Sequence, residues 1–134
     1  MRLTQIDHVG IAVSDLDVAV EHYRLTFAIE PTHRERMDDQ GVEEVHFAVG
    51  ESYVQLLGAL GPQTPVGRFL QRRGPGVHHV AYRVDSVADA LDDLRAAGVP
   101  LVDEEPRRGS RGTRIAFVHP RGVGGVLVEL VEAP

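Results

Sequence analysis

The 134 residues include no cysteine, which excludes disulfides, thiolate nucleophiles and thiolate metal sites. Lysine is also absent, so Schiff-base chemistry and lysine general bases drop out. Asparagine and tryptophan are missing too. The joint loss of Lys and Asn fits the codon usage of a GC-rich genome better than any structural requirement. No apolar run approaches the length needed to span a bilayer. The opening residues MRLTQIDHVG enter a strand pattern at once, leaving no room for a signal or transit segment. The expectation is a soluble, cytoplasmic protein with no membrane partner.

Acidic residues exceed basic ones, and the net charge of −6 argues against a nucleic-acid partner. One segment departs from that balance. Between Arg107 and Arg121 stand five arginines and no carboxylate. Two readings stay open: a solvated Arg-rich loop, or a docking surface for a phosphorylated ligand, with Arg107, Arg108 and Arg111 as candidate contacts.

What the chain does contain is an internal repeat. Ile6–Val13 (IDHVGIAV) aligns with Val77–Val84 (VHHVAYRV), placing His8 on His79, Val9 on Val80 and Val13 on Val84. A helical pattern follows each octet. The first starts at Asp15 and carries Leu16, Val18, Ala19, Val20, Tyr23 and Phe27. The second is capped by Asp85 or Ser86, carries Val87, Ala90, Leu91 and Leu94, and stops at Gly98. Extended segments are expected at Ile29–Met37, Val42–Val49 and Ser52–Leu57, then at Val99–Glu104, Thr113–Val118 and Gly125–Val131. The last strands match again, with Gln55 in VQLL aligned on Glu129 in VELV. The His pair is offset by 71 residues and the Gln/Glu pair by 74, a difference of three loop residues. The organisation expected is one domain over 1–134: a βαβββ module at about 3–60, a linker at about 61–75 with a short helical turn at Val66–Leu70, and a second module at about 76–132. The fold class is α+β, a curved mixed sheet.

Strand alternation sorts the candidates by face. Ile6, His8, Gly10 and Ala12 share one face; Val9, Ile11 and Val13 share the other, which packs on the helix. His79 lies with Ala81 and Arg83, opposite His78, Val80, Tyr82 and Val84. Each repeated His thus falls among small neighbours, and His79, not His78, is the equivalent of His8. Glu129 sits in the middle of an apolar strand, where a carboxylate needs a cation or a shifted pKa. Either a metal or Arg83 can supply the charge. His8, Gln55, His79 and Glu129 together form a mixed nitrogen and oxygen ligand set for one metal, with positions open to substrate oxygens. His22, His33, His46, His78 and His119 are read as surface or structural.

These stretches resemble the vicinal oxygen chelate (glyoxalase/bleomycin resistance) superfamily, in which paired βαβββ modules curve around one divalent metal. The two His strands carry that likeness. Within the superfamily, Asp103–Arg107 (DEEPR) with Gly109 and Gly112, Ile115–Pro120 (IAFVHP) and Gly124–Leu130 (GGVLVEL) resemble the family of methylmalonyl-CoA epimerases. The likeness is strong across Gly74–Glu132 and looser across Ser14–Arg36. It implies metal ligands at His8, Gln55, His79 and Glu129, and a divalent ion: cobalt, with nickel, manganese, magnesium or zinc as alternatives. A methylmalonyl-CoA substrate and a homodimer are also implied. Glu44, within Gly41–Phe47 (GVEEVHF), matches a base position found in part of the family. Asp39 stands where Glu is common.

The implied reaction interconverts the (R) and (S) epimers of methylmalonyl-CoA. One group removes the α-proton, a metal stabilises the enolate, and a second group returns a proton on the other face. With neither Lys nor Cys present, carboxylates are the candidates. Glu44, His46 and Ala48 share a strand face, so Glu44 is either a base facing the cavity or a solvated residue beside Glu43. Glu129 could serve as the second group. Two alternatives remain: a glyoxalase-like isomerase, and a metal-free module that sequesters small molecules.

Overall fold

The computed structural model describes residues 1–134. Strand β1 (Gln5–Val13) is followed by helix α1 (Leu16–Phe27) and strands β2 (His33–Met37), β3 (Val42–Val49) and β4 (Ser52–Ala59). After α2 (Pro65–Arg73) the order recurs: β5 (Gly76–Arg83), α3 (Val87–Ala96), a two-residue β6 (Arg107–Arg108), β7 (Arg114–Val118) and β8 (Leu127–Glu132). No helix is long and apolar enough to cross a membrane. Two compact units are present: Val9–His78, and Met1–His8 together with His79–Pro134. Their boundary falls inside β1 and inside β5, immediately after His8 and immediately before His79.

In the unit Val9–His78, strands β2, β3 and β4 form an antiparallel ladder. One face packs under α1 through Leu16, Val45, Phe47 and Leu56, joined by Ile11, Val13, Val20 and Tyr23. The other carries Ala12, Met37, Val42 and Leu57 and is partly covered by Val66, Phe69 and Leu70 of α2. That helix is longer than the sequence pattern suggests. Thr64 caps it, accepting from the Gly67 amide at 3.1 Å, and Pro65 opens it with a preset φ.

In the second unit β8 runs parallel to β5 and antiparallel to β7. Val87, Ala90 and Leu91 of α3 pack on Val128 and Leu130 of β8 and Ala116 and Val118 of β7, with Tyr82 of β5 alongside. Ala81, Ile115 and Val131, with Phe117, form a smaller cluster. Because the side-chain period of a strand is two, Glu129 shares its face with Val131 and not with the helix-covered Val128 and Leu130.

The expected strand at Val99–Glu104 is not formed; a single bridge pairs Leu101 with Val118, and the short β6 takes the edge position instead. The cause is local. The Val102 and Asp103 amides both point at the Phe117 carbonyl, at 3.0 and 3.2 Å. The Asp103 carboxylate then accepts the Phe117 amide at 2.8 Å, doing the work of a backbone carbonyl. The segment is tethered to β7 without running along it.

The N-terminus of α3 has two caps. Ser86 Oγ accepts from the Asp89 amide at 3.2 Å, and Glu132 Oε1 from the Val87 amide at 2.8 Å. Ser86, not Asp85, therefore holds the cap position. Ser86→Ala is expected to lower unfolding stability by about 1 kcal/mol, read from urea denaturation midpoints. A change below a few tenths would mean that Glu132 alone suffices.

Candidate functional site

Three of the four expected ligands meet in one unit. His8 ends the β1 portion belonging to that unit, His79 opens the β5 portion, and Glu129 lies in β8 opposite Ala81 and Phe117. All three are buried. His8 Nε2 is 3.0 Å from His79 Nε2 and 3.0 Å from Glu129 Oε1; His79 Nε2 is 4.0 Å from the same oxygen. The imidazoles meet edge to face with centroids 5.1 Å apart, and Phe117 borders His79 at 5.6 Å. Ala81, fully buried, stands directly across from the carboxylate. The donor atoms of His8, His79 and Glu129 lie close enough to hold one metal ion. Around an ion with ligand bonds of about 2.1 Å, neighbours at right angles stand about 3.0 Å apart. Two of the three spacings have that value, and imidazole with carboxylate suits a divalent transition metal.

Arg83 does not neutralise Glu129. Its guanidinium is engaged by Asp7, Nε at 3.2 Å, and Arg111 reaches the other Asp7 oxygen at 2.9 Å. Asp7, completely buried, also meets His8 Nδ1 at 2.7 Å. Its burial opposes a charge. Hydrogen bonds from His8 and Arg83 and the positive charges around it nevertheless hold the carboxyl far below the usual range. Sequence reasoning passed over Asp7. Its signal was a carboxylate in a largely apolar octet, masked by His8 beside it.

The other unit holds a second polar cluster. Gln55 of β4 pairs in register with His46 of β3, and Glu44 lies two residues away on the same face. Gln55 Nε2 donates to Glu44 Oε1 at 3.0 Å, and His46 Nε2 lies 3.2 Å from that oxygen. Glu44 is buried, with 4% exposure, so the reading of a solvated residue beside Glu43 falls. Glu43 points outward to Arg34 at 2.8 Å. His46 is fully buried and joins this cluster, so it is not a surface residue. A carboxylate only accepts hydrogen bonds, so the amide must turn its nitrogen to Glu44. Its oxygen, Gln55 Oε1, is consequently a buried polar atom with no hydrogen-bond partner. An orphaned amide oxygen is a donor atom held ready for a cation or a substrate proton.

The arginine-rich segment is divided. Arg107 contacts Asp103 at 3.3 Å and Arg111 is committed to Asp7. Arg108 and Arg114 are exposed and stand directly opposite one another across β6 and β7. On its other side Arg114 stands opposite Glu132 of β8.

Burial works against protonating His8, but the carboxylates of Glu129 and Asp7 outweigh it and push the imidazole up from 6.5 to about 9. In the metal-free protein this stabilisation is complete below pH 6.5 and is lost as the pH rises toward 9. Burial pushes His78 down from 6.5 to about 4, so its contribution is complete above pH 6.5 and is lost as the pH falls toward 4. Metal-free protein should therefore have its highest Tm near pH 6.5. Glu129→Gln should flatten the alkaline limb. A Tm constant between pH 6.5 and 9 would contradict the charge state assigned to His8.

Residues 7–117 match the model of the Glyoxalase/Bleomycin resistance protein/Dioxygenase superfamily. A methylmalonyl-CoA epimerase of Streptomyces coelicolor, solved with 2-nitronate-propionyl-CoA, is 43% identical; the match covers 98% of this chain and 96% of that one, at TM-score 0.95. A methylmalonyl-CoA epimerase solved with methylmalonyl-CoA and NH4+ is 44% identical, with coverage of 98% and 96% and TM-score 0.95. The human mitochondrial methylmalonyl-CoA epimerase is 34% identical over 133 residues, 98% of this chain and 76% of that protein. The chain belongs to the glyoxalase/bleomycin resistance protein/dioxygenase superfamily and, within it, to the family of the methylmalonyl-CoA epimerases.

Proposed function

We propose that this chain is an isomerase that interconverts the (R) and (S) epimers of methylmalonyl-CoA. The observation that carries the reading is the buried His8, His79 and Glu129 triad in a chain 44% identical to an epimerase solved with that substrate. A glyoxalase-like isomerase or a metal-free sequestering module has no comparable support.

His8, His79 and Glu129 would hold a divalent ion, and the unpartnered Gln55 Oε1 is assigned as the fourth ligand. Cobalt is the ion proposed, as the family resemblance implies; two imidazoles with carboxylate and amide oxygens suit divalent transition metals in general. When bound, it supplies Lewis acidity for the negative charge that develops on the thioester and carboxylate oxygens. Glu44 is the base that takes the α-proton. It is buried, and the Gln55 amide fixes one of its oxygens at 3.0 Å. That one side chain aims the base with its nitrogen and leaves its oxygen for a ligand's role. Glu129 is proposed as the group serving the opposite face of the planar intermediate. Phe117, Ala81 and Val131 line the carboxylate's surroundings with apolar surface that limits water.

Arg108, with Arg114 opposite it across β6 and β7, is assigned to the CoA phosphates, since both guanidinium groups are exposed on that edge. Arg107 and Arg111 help to shape that edge through Asp103 and Asp7. A cytoplasmic location fits a CoA thioester substrate and a chain without cysteine. A homodimer belongs to the same reading: Leu25 and Phe27, 75% and 60% exposed at the end of α1, offer apolar surface for a second copy, and sedimentation of the purified protein as a monomer would remove it.

Epimerisation of methylmalonyl-CoA by the purified chain, followed by chiral analysis or solvent deuterium exchange, tests the function directly. Metal analysis should find about one ion per chain, lost in His79→Ala and largely kept in His78→Ala. The reverse result would overturn the ligand assignment. Glu44→Gln should keep fold and metal while epimerisation falls by a factor on the order of 10² to 10⁴. Near-normal turnover would free Glu44 of the base role. Arg108→Gln with Arg114→Gln should raise KM for the CoA thioester with little change in kcat. An unchanged KM at low salt would return both residues to the solvated edge.

A further inference from the structure

The two histidines of the triad are repeat-equivalent, but the residues that precede them are not. Before His79 stands His78, whose ring packs edge-on against Phe69, centroids 5.1 Å apart. Before His8 stands Asp7, completely buried, with Oδ2 2.7 Å from His8 Nδ1. Nδ1 is the ring nitrogen remote from His79 and Glu129, both of which face Nε2 at 3.0 Å. Asp7 is itself fixed from two sides, by Arg83 at the end of β5 and by Arg111 from the turn Ser110–Gly112.

That turn is built around the contact. Arg111 has φ 57° and ψ 27°, a left-handed conformation that a residue with a side chain adopts only when its surroundings demand it. Gly109, just before the turn, leaves no room for a side chain: a Cβ there would fall 2.5 Å from Thr113 Oγ1 and 2.6 Å from Ile115 Cγ2. Backbone and neighbours thus deliver one guanidinium to the carboxylate that holds His8.

We propose that Asp7 is a positioning residue for His8: clamped by Arg83 and Arg111, its carboxylate accepts a hydrogen bond from Nδ1–H and keeps the proton on that nitrogen, so that the electron pair of Nε2 is presented to the metal. Ligating histidines that give their second N–H to a carboxylate are fixed in tautomer and ring orientation and bind metal more tightly. Asp7 touches neither substrate nor ion and acts through His8. This rests on the metal reading given above.

The test separates the two. Wild-type protein, Asp7→Asn and Arg111→Met are titrated with Co²⁺ alone, following the visible absorption of the bound ion. Asp7→Asn should bind 10- to 100-fold more weakly. Arg111→Met, which keeps the carboxylate but loosens its clamp, should show a smaller loss in the same direction. If wild-type protein takes up no Co²⁺, the metal reading fails. If wild-type and Asp7→Asn bind equally while Asp7→Asn is only less heat-stable, Asp7 is structural and the positioning proposal is overturned. Should Asp7→Asn not fold, the unaltered protein still decides. In histidine-¹⁵N-labelled wild-type protein loaded with Zn²⁺, His8 should carry its proton on Nδ1, strongly shifted downfield, and bind through Nε2. A His8 protonated on Nε2, or bound through Nδ1, would sink the proposal.

Discussion

A carboxylate taken out of water must find positive charge, and in the unit formed by Met1–His8 and His79–Pro134 two carboxylates are taken out at once. Asp7 and Glu129 are both buried, and the Born cost of each is several kcal/mol unless it is compensated. Arg83 and Arg111 answer for Asp7. At Glu129 imidazoles stand beside the charge, His8 at 3.0 Å and His79 at 4.0 Å. Much of what surrounds these residues follows from that constraint. The strand register sets Ala81 next to Glu129, and a left-handed turn brings Arg111 inward.

The unit Val9–His78 handles polarity differently. Its buried Glu44 is met by a neutral amide and an imidazole. The amide has a donor end and an acceptor end, and only the donor end is used within the cluster. Leaving a buried carbonyl oxygen without a partner costs about 1–3 kcal/mol, and such a cost persists where a ligand removes it. Both units use the same strand alternation to separate a helix-covered apolar face from a face that bears chemistry. In the first, Val45 and Phe47 go under α1 while Glu44 and His46 go the other way. In the second, Val128 and Leu130 go under α3 while Glu129 does not.

Much of this was legible from residue order. The repeat of IDHVGIAV in VHHVAYRV, and of VQLL in VELV, located the paired strands and selected His79 over His78, because a duplication preserves register. The triad of His8, His79 and Glu129 came from that register together with one misplaced carboxylate. What could not be read depends on distant partners. Arg83 was one of two candidates to pair with Glu129; it pairs instead with Asp7, 76 residues away in the chain, which Arg111 joins from 104 residues away. His46 looked like one polar residue in an alternating strand, and its burial depends on the Gln55 side chain opposite. Val99–Glu104 had strand-like composition, and a side-chain bond from Asp103 diverted it, an override that propensity does not register.

That same Asp103 tether bears on how such a chain can drift. Between α3 and β7, the connection is held against the sheet at two places, by the bridge at Leu101 with the bonds to Phe117 and by the pairing of β6 with β7. Ladder strands fix length, since one residue inserted or deleted turns every later side chain to the opposite face. Between two pins the chain carries no ladder, and its length there is not fixed by register. Insertions and deletions between Glu104 and Arg107 can be absorbed as slack, leaving the pairing of β7 with β8, and so the aim of Glu129, untouched. Relatives that keep an acid at this place are free to differ in the reach of the arginine-bearing edge while inheriting the same centre.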